Sequence, residues 1–459
     1  GPSTATNVWV DTPVAAAAGV QSAINTLTMD AGGEVNIPAT GILRLDGRAV
    51  LARGNSRING PGLMVVGADT LSTFIHTVGA TTTLTLAAQM GVAQGLRMAE
   101  LIKAGDGTLD IATPMGYLSS GVRVEQGTVK LSGGVNTIIK TLPGLPSMTS
   151  NMTGNVGTFV QMWPEGRLDL NGNMQAVGRL LSGSGNPMHG GVVTNTSSVL
   201  AGLRVSSNNG DTISTQINDN ISLTMESANV TSYFVSPNTM TGVLTIGSAV
   251  ELRELGAFPN VARLDIVGSP LTWNDNAGVP ALGPRLSASG SVRMLGAAID
   301  YAPRAWTDGA VTLGPVELTA GQSFIRVQGA AGSQTLTLGS ITRATGAGVT
   351  FNQTVPTGPR ILFSEAPVLK NGIIGGWAVT NTGNTRYNNA TLGDFATYAP
   401  GIGVRPLNDY GNVFATAGAQ TNLRLDVGEA PTALVPAGGK VVNSIKFVQR
   451  NFNANLSRG

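Results

Sequence analysis

The sequence has no cysteine, which removes disulfides, thiolate nucleophiles and cysteine-ligated zinc or iron centres in one step. It has only two histidines, His76 and His189, far apart and outside any HExxH-type spacing, so no histidine metal motif or relay is encoded. Serines are plentiful, but no GxSxG nucleophile elbow occurs. Charge is scarce as well: 12% of residues are charged, and 28 basic against 26 acidic side chains leave a net charge of +2. So small an excess gives neither the counterion release that holds nucleic acid nor attraction to an anionic membrane surface. Neither partner is expected. Aromatic residues are 5% of the chain, and no run of 18 apolar residues is present, so no helix is expected to insert in a bilayer. A basic, apolar signal segment is also missing. The opening Gly1-Pro2 reads as the remnant of a cleaved tag, and the uncapped end at Arg458-Gly459 reads as a chain that continues.

What the sequence does have is glycine, 62 of 459 residues, about twice the usual share, together with short aliphatic bursts. Thr81-Thr82-Thr83-Leu84-Thr85-Leu86, Leu168-Asp169-Leu170, Val243-Leu244-Thr245-Ile246 and Thr335-Leu336-Thr337-Leu338 alternate with the period of two that marks strands. Between such runs stand Asp46-Gly47, Asn59-Gly60, Asp106-Gly107, Asn171-Gly172, Asn209-Gly210, Asp308-Gly309 and Asn371-Gly372, dipeptides suited to tight turns. Asn-Gly also serves type I′ hairpins, so turn chemistry alone leaves a hairpin sandwich and a solenoid both open. The unbroken repetition from about residue 40 to 450 favours stacking of units that cannot bury their own faces.

The expected fold is therefore all-β, a right-handed parallel β-helix (β-solenoid) with a short N-terminal capping helix. Coils of roughly 20 to 25 residues would number on the order of 20 and stack to roughly 100 Å. The helix is expected from Pro13 to Thr28, where Val20, Ala23, Ile24 and Leu27 fall at helical spacing and Gly32-Gly33 follows as a stop. The division expected is a cap leading into the first coil over 1–40, a solenoid body over 41–350, and a more loop-rich β continuation, truncated at its end, over 351–459.

Particular segments carry a family resemblance. VQSAINTLTMDAGGEVNIPATGILRLDGRAVLARGNSRINGPG at 20–62 is similar to the opening of pectin-lyase-like right-handed β-helices. LIKAGDGTLDIATPMGYLSSGVRVEQGTVKLSG at 101–133 resembles the passenger-associated transport repeat of autotransporters, through Lys103, Gly105, Gly107-Thr108-Leu109, Tyr117, Gly121, Val124 and Gly127-Thr128. VQMWPEGRLDLNGNMQAVGRLLSGSG at 160–185 resembles a second unit of those proteins, and 221–242 resembles a decayed repeat in which Met225, Glu226 and Ser227 replace glycines. Residues 270–351 and 371–380 resemble autotransporter-associated β-strand repeats. The resemblance implies a secreted, non-catalytic repeat protein of the bacterial surface.

Chemistry-bearing motifs are few. Ala104 to Asp110 resembles a calcium nonapeptide, but such sites need tandem copies, and it occurs once. Gly183-Ser184-Gly185 and Gly346-Ala347-Gly348 lack the lysine and helix of a phosphate loop. One cluster combines aromatic platforms with carboxylates about one coil apart, as sugar sites do: Trp273 and Asp275, then Tyr301, Trp306 and Asp308. These five are the candidate glycan contacts. Asp275 with Asp300 or Asp308 would be the pair for glycoside cleavage if they faced each other across a scissile bond. No catalytic, cofactor or metal residue is otherwise assigned, and no cofactor is implied.

The function expected is a non-catalytic secreted or cell-surface solenoid acting as adhesin, spacer or surface-structure component, located extracellularly or on the bacterial outer surface. Its partners would be a surface glycan or a receptor on a host or neighbouring cell, with self-association as a further mode. The alternatives are a carbohydrate-binding or carbohydrate-cleaving β-helix, and a phage-type fibre.

Overall fold

The computed structural model describes residues 5–66, 72–91, 100–115, 121–138, 159–207, 209–227, 230–276, 283–304, 309–328, 334–353, 358–381, 393–425 and 438–448. Among these residues every regular element is a β-strand, and nearly all strand pairs are parallel. The chain is a parallel β-solenoid of about 14 turns. The turn number falls below the expected 20 because some coils carry long excursions. Paired positions advance from Asn7 to Thr26, Ala49 and Phe74 in short steps, but from Arg123 to Gln161 in a single one.

The chain forms two compact units, Gly1–Asp265 with Gly278–Leu286, and Ile266–Ala277 with Ser287–Gly459. In the first, the core is a set of side-chain columns in which each coil repeats the residue type below it. Leu84, Leu109, Val129, Leu168, Val193 and Ile217 stand in register on successive coils and are all buried. Each such aliphatic side chain contributes about 1.5–3 kcal/mol by leaving water, and period-two alternation sends its strand neighbours outward. In the second unit Leu271, Ile299, Ile325 and Phe351 form an equivalent column.

The expected N-terminal helix is absent: residues 13–28 instead contribute the strand Pro13–Ala15 and most of the strand Gln21–Met29. The reason is a register shift between Ile24 and Thr26, where the strand turns a corner against Ile42–Ala52. Ile24, Leu27 and Met29 all face the core. Asn25 alone stands against Asp46, Gly47 and Arg48 of the next coil, and the alternation changes phase there, turning a spacing of two into a spacing of three that mimics a helical face. Asn25 is held there by its N–H on the Thr6 carbonyl at 2.8 Å and its side-chain amide on Asn7 Oδ1 at 2.7 Å.

The segment resembling a decayed repeat keeps its ladder. Met225, Glu226 and Ser227 pair in register with Val205, Ser206 and Ser207. In the second unit the parallel stack gives way after Ala378–Asn381. Asp394–Ala399 runs antiparallel to that strand and forms a hairpin with Gly403–Pro406. A parallel pair follows, Asn422–Leu425 with Ser444–Phe447, packed over Ala417, Leu423 and Leu425.

Candidate functional site

The aromatic and acidic residues singled out in the sequence lie in the second unit. Trp273 and Tyr301 occupy directly opposed positions on the strands Pro270–Asn274 and Ala298–Ala302. Their rings meet edge to face, with centroids 6.0 Å apart. Both point into the core, with Trp273 0% and Tyr301 2% exposed, so neither ring offers a face on which a sugar could stack. Asp275 follows the strand end, its N–H donating to the Ala302 carbonyl at 2.9 Å. Asp300 stands opposite Thr272, three positions along the strand from Asp275, and is itself fully buried against Arg326, Nε to Oδ1 at 2.9 Å. The register therefore does not set Asp275 and Asp300 face to face. Trp306 and Asp308 lie outside the described residues.

In the first unit the most unusual side chain is Lys103, on the strand Glu100–Ala104. Its register partners are Ile75 on one side and Val124 on the other, so it occupies a slot in the hydrophobic column Val50, Ile75, Lys103, Val124, Met162. It is 0% exposed. An uncompensated ammonium there would be prohibitive. Three backbone carbonyls compensate: Nζ donates to Ala104 at 3.0 Å, Gly105 at 2.6 Å and Gln126 at 2.9 Å. The first two belong to its own corner, the third to the next coil. Burial pulls the lysine down to about 8, against the opposing charge of Asp106. Gly127, with φ +70°, closes the cage, and a Cβ there would stand 2.4 Å from the carbonyl oxygens of Gly105 and Gly107 and 2.8 Å from Nζ.

A second polar arrangement lines the corners after Phe159–Asp169, Val192–Thr194 and Gln216–Ile217. Asp169 Oδ1 accepts the N–H groups of Asn171 and Thr196 at 2.9 and 3.0 Å, and its Oδ2 accepts the Thr196 hydroxyl at 2.6 Å. Asn195 Oδ1 accepts the Gly172 N–H at 2.7 Å, while its amide donates to the Val199 carbonyl at 2.7 Å and to Asn220 Oδ1 at 2.5 Å. Asp219 then accepts the Thr194 hydroxyl and the Asn195 N–H. Each side chain thus ties its corner to a neighbouring coil and satisfies backbone groups that a tight turn leaves without partners.

The histidines have local partners: the His76 ring stacks on Phe74 with centroids 6.1 Å apart, and His189 Nδ1 lies 2.8 Å from the Pro187 carbonyl. Among the described residues no group of three or more His, Asp or Glu side chains is arranged to hold a metal ion, and no helix is long and apolar enough to cross a membrane.

Sequence reasoning named Lys103 only as a position of the repeat and missed its inward orientation. A signal was available: in Leu101-Ile102-Lys103 the lysine falls at the same alternation phase as the core residue Leu101. The class these features define is a parallel β-solenoid whose buried polar side chains brace one coil against the next. Compared with protein-family models, curated proteins and solved structures, the chain matches none.

Proposed function

We propose that the chain is a non-catalytic secreted or cell-surface protein of autotransporter-passenger type, its solenoid wound right-handed and acting as an adhesin, spacer or surface-structure component. The observation that carries this reading is the bracing of coil on coil by Lys103, Asn195 and Asp219. These polar side chains serve the persistence of a repetitive scaffold, which is what a displayed protein requires outside the cell. The lack of cysteine agrees with export in an unfolded state. The segment holding the Lys103 cage is also the one that resembles the transport repeat.

Exposed apolar side chains on neighbouring corners favour a contact role. Val135, Met174, Val199 and Leu200 are 64%, 55%, 62% and 53% exposed. The turn carrying Val135 is joined to Met174 by the Asn136 N–H donating to the Met174 carbonyl at 2.9 Å. Met174 in turn lies opposite Gly202. Grouped exposed apolar side chains of this kind mark interaction sites.

The test is to incubate the purified protein with a broad polysaccharide panel and with host or neighbouring cells, following both retention and product release. Retention without turnover supports the proposal. Release of oligosaccharides at enzymatic rates overturns it in favour of a carbohydrate-cleaving β-helix. A trimeric mass by light scattering overturns it in favour of a fibre.

A further inference from the structure

The second unit holds a cluster unrelated to the glycan candidates. Lys446, on Ser444–Phe447, reaches Asp394, on the antiparallel strand Asp394–Ala399, and its Nζ is in direct contact with Asp394 Oδ1. The Lys446 side chain is 11% exposed. Tyr410 closes one side of the pair: Nζ lies 5.7 Å from its ring centroid, and its hydroxyl accepts the Phe395 N–H at 3.3 Å, next to the Asp394 carboxyl. Arg424 stands one coil below Lys446, at the same register position. The other ion pairs described on this chain, such as Arg44–Asp46, Arg263–Asp265 and Arg326–Asp300, are made by arginine, whose guanidinium holds its proton too tightly to act as a nucleophile. Here the cation is a primary amine.

We infer that Lys446 and Asp394 join in an intramolecular isopeptide bond, with Tyr410 as the group that assists its formation. The ammonium of Lys446 passes one proton to the Asp394 carboxylate, leaving a neutral amine and a neutral acid. The amine lone pair attacks Asp394 Cγ. The C–N bond forms, the bond from Cγ to the hydroxyl oxygen breaks, and the hydroxyl leaves as water with one of the two amine protons, the other remaining on the amide nitrogen. Ammonium plus carboxylate thus become amide plus one water, with no oxidant, metal or cofactor required.

Two physical arguments support the step. Held reactants reach effective molarities on the order of 10⁵ M or more, enough to drive condensation against bulk water. Tyr410 is pushed up to about 12, first by burial and then by the neighbouring Asp394 charge. It therefore keeps its proton at neutral pH and can donate a hydrogen bond to the carboxyl oxygen on which charge develops in the tetrahedral intermediate. Lys103, also buried, gives its Nζ hydrogen bonds to backbone carbonyls, while the nearby Asp106 carboxylate accepts the Gly79 N–H instead. The bond would tie the hairpin to the final parallel pair across 52 residues.

Intact-mass measurement of the purified full chain tests this. The expected mass is one water below that of the sequence, and digestion should release a branched peptide joining the segments around 394 and 446, with the Lys446-Phe447 bond resistant to trypsin. Lys446→Arg and Asp394→Ala should each show the full mass of their own sequences, and Tyr410→Phe should leave a larger share of the chain unlinked. A wild-type chain at full sequence mass with no branched peptide overturns the inference. So does a mass deficit that persists in Lys446→Arg. Because the branched peptide is mapped in the wild-type protein, a variant that failed to fold would not blur the result.

Discussion

The ammonium of Lys103 donates to the carbonyl oxygen of Gln126 across 2.9 Å, from one coil to the next. A fully buried cation thus spans the interface between two stacked coils, in a column otherwise filled by Val50, Ile75, Val124 and Met162. Its cost and its usefulness have the same origin. Desolvation disfavours the charge, and the same low dielectric strengthens its bonds to the carbonyls.

Stability should therefore depend on pH in the alkaline range. Burial lowers Lys103 from 10.5 to about 8, so between these values the unfolded chain binds more protons than the folded one, and stability rises with pH. The contribution is fully present above about pH 10.5 and lost as pH falls through about 8, and amounts to on the order of 3 kcal/mol. Denaturant unfolding at pH 7.5 and 10 should show the wild-type midpoint rising by more than that of Lys103→Met. Equal slopes in the two proteins would contradict a buried, titrating lysine.

Two glycines with positive φ separate crowding from backbone strain. Gly127, φ +70°, has carbonyl oxygens where a Cβ would go, whereas Gly134, φ +92°, has nothing within 4 Å. Gly134→Ala should cost about 1 kcal/mol, the strain of an L-residue in the left-handed region. Gly127→Ala should cost about 3 kcal/mol or more, because it must also displace the Lys103 cage. Thermal unfolding of the two variants checks the order.

Much of the scaffold could be read from the chain and much of the chemistry could not, for a common reason. Columns such as Leu84, Leu109 and Val129 announce themselves through period-two alternation, because burial dictates residue type. Corners break that period: the change of phase at Asn25, between the core residues Ile24 and Leu27, made a strand look helical. The aromatics Trp273 and Tyr301 carried the composition of a sugar site, but the sequence did not say which face of the strand each would take, and both turned inward. Pairings such as Lys446 with Asp394, 52 residues apart, depend on a hairpin position that no local pattern encodes.

The ion pair of Asp300 and Arg326, with side chains 0% and 14% exposed, should behave unlike that of Glu317 and Arg293, at 44% and 45%. Asp300→Asn removes a fully buried carboxylate charge from the Arg326 guanidinium and should cost about 3–5 kcal/mol. Glu317→Gln removes a solvent-screened partner and should change stability by about 0.5 kcal/mol or less. Urea unfolding of both variants at neutral pH measures the contrast. Similar losses would mean that burial does not set the value of the pair.

Asn195 offers the sharpest probe of the corner ladder, because its amide nitrogen faces only acceptors: the Val199 carbonyl, the Asn220 carbonyl and Asn220 Oδ1. Asn195→Asp keeps the shape and replaces a double donor by a carboxylate oxygen pressed against those acceptors, one residue from a strand end where Asp219 already bonds the Asn195 N–H. Its folded-state pKa must then lie above the unfolded value of about 3.9. A group raised in this way is tolerated below its unfolded pKa and penalised as pH climbs through the folded one. The variant should fall short of wild type by about 3 kcal/mol at pH 7 and recover much of that loss near pH 4, where the protonated acid again presents a donor. Unfolding curves for both proteins at the two pH values decide the matter: a deficit that does not shrink on acidification would show that Asn195 acts through its shape and not through its donated hydrogen bonds.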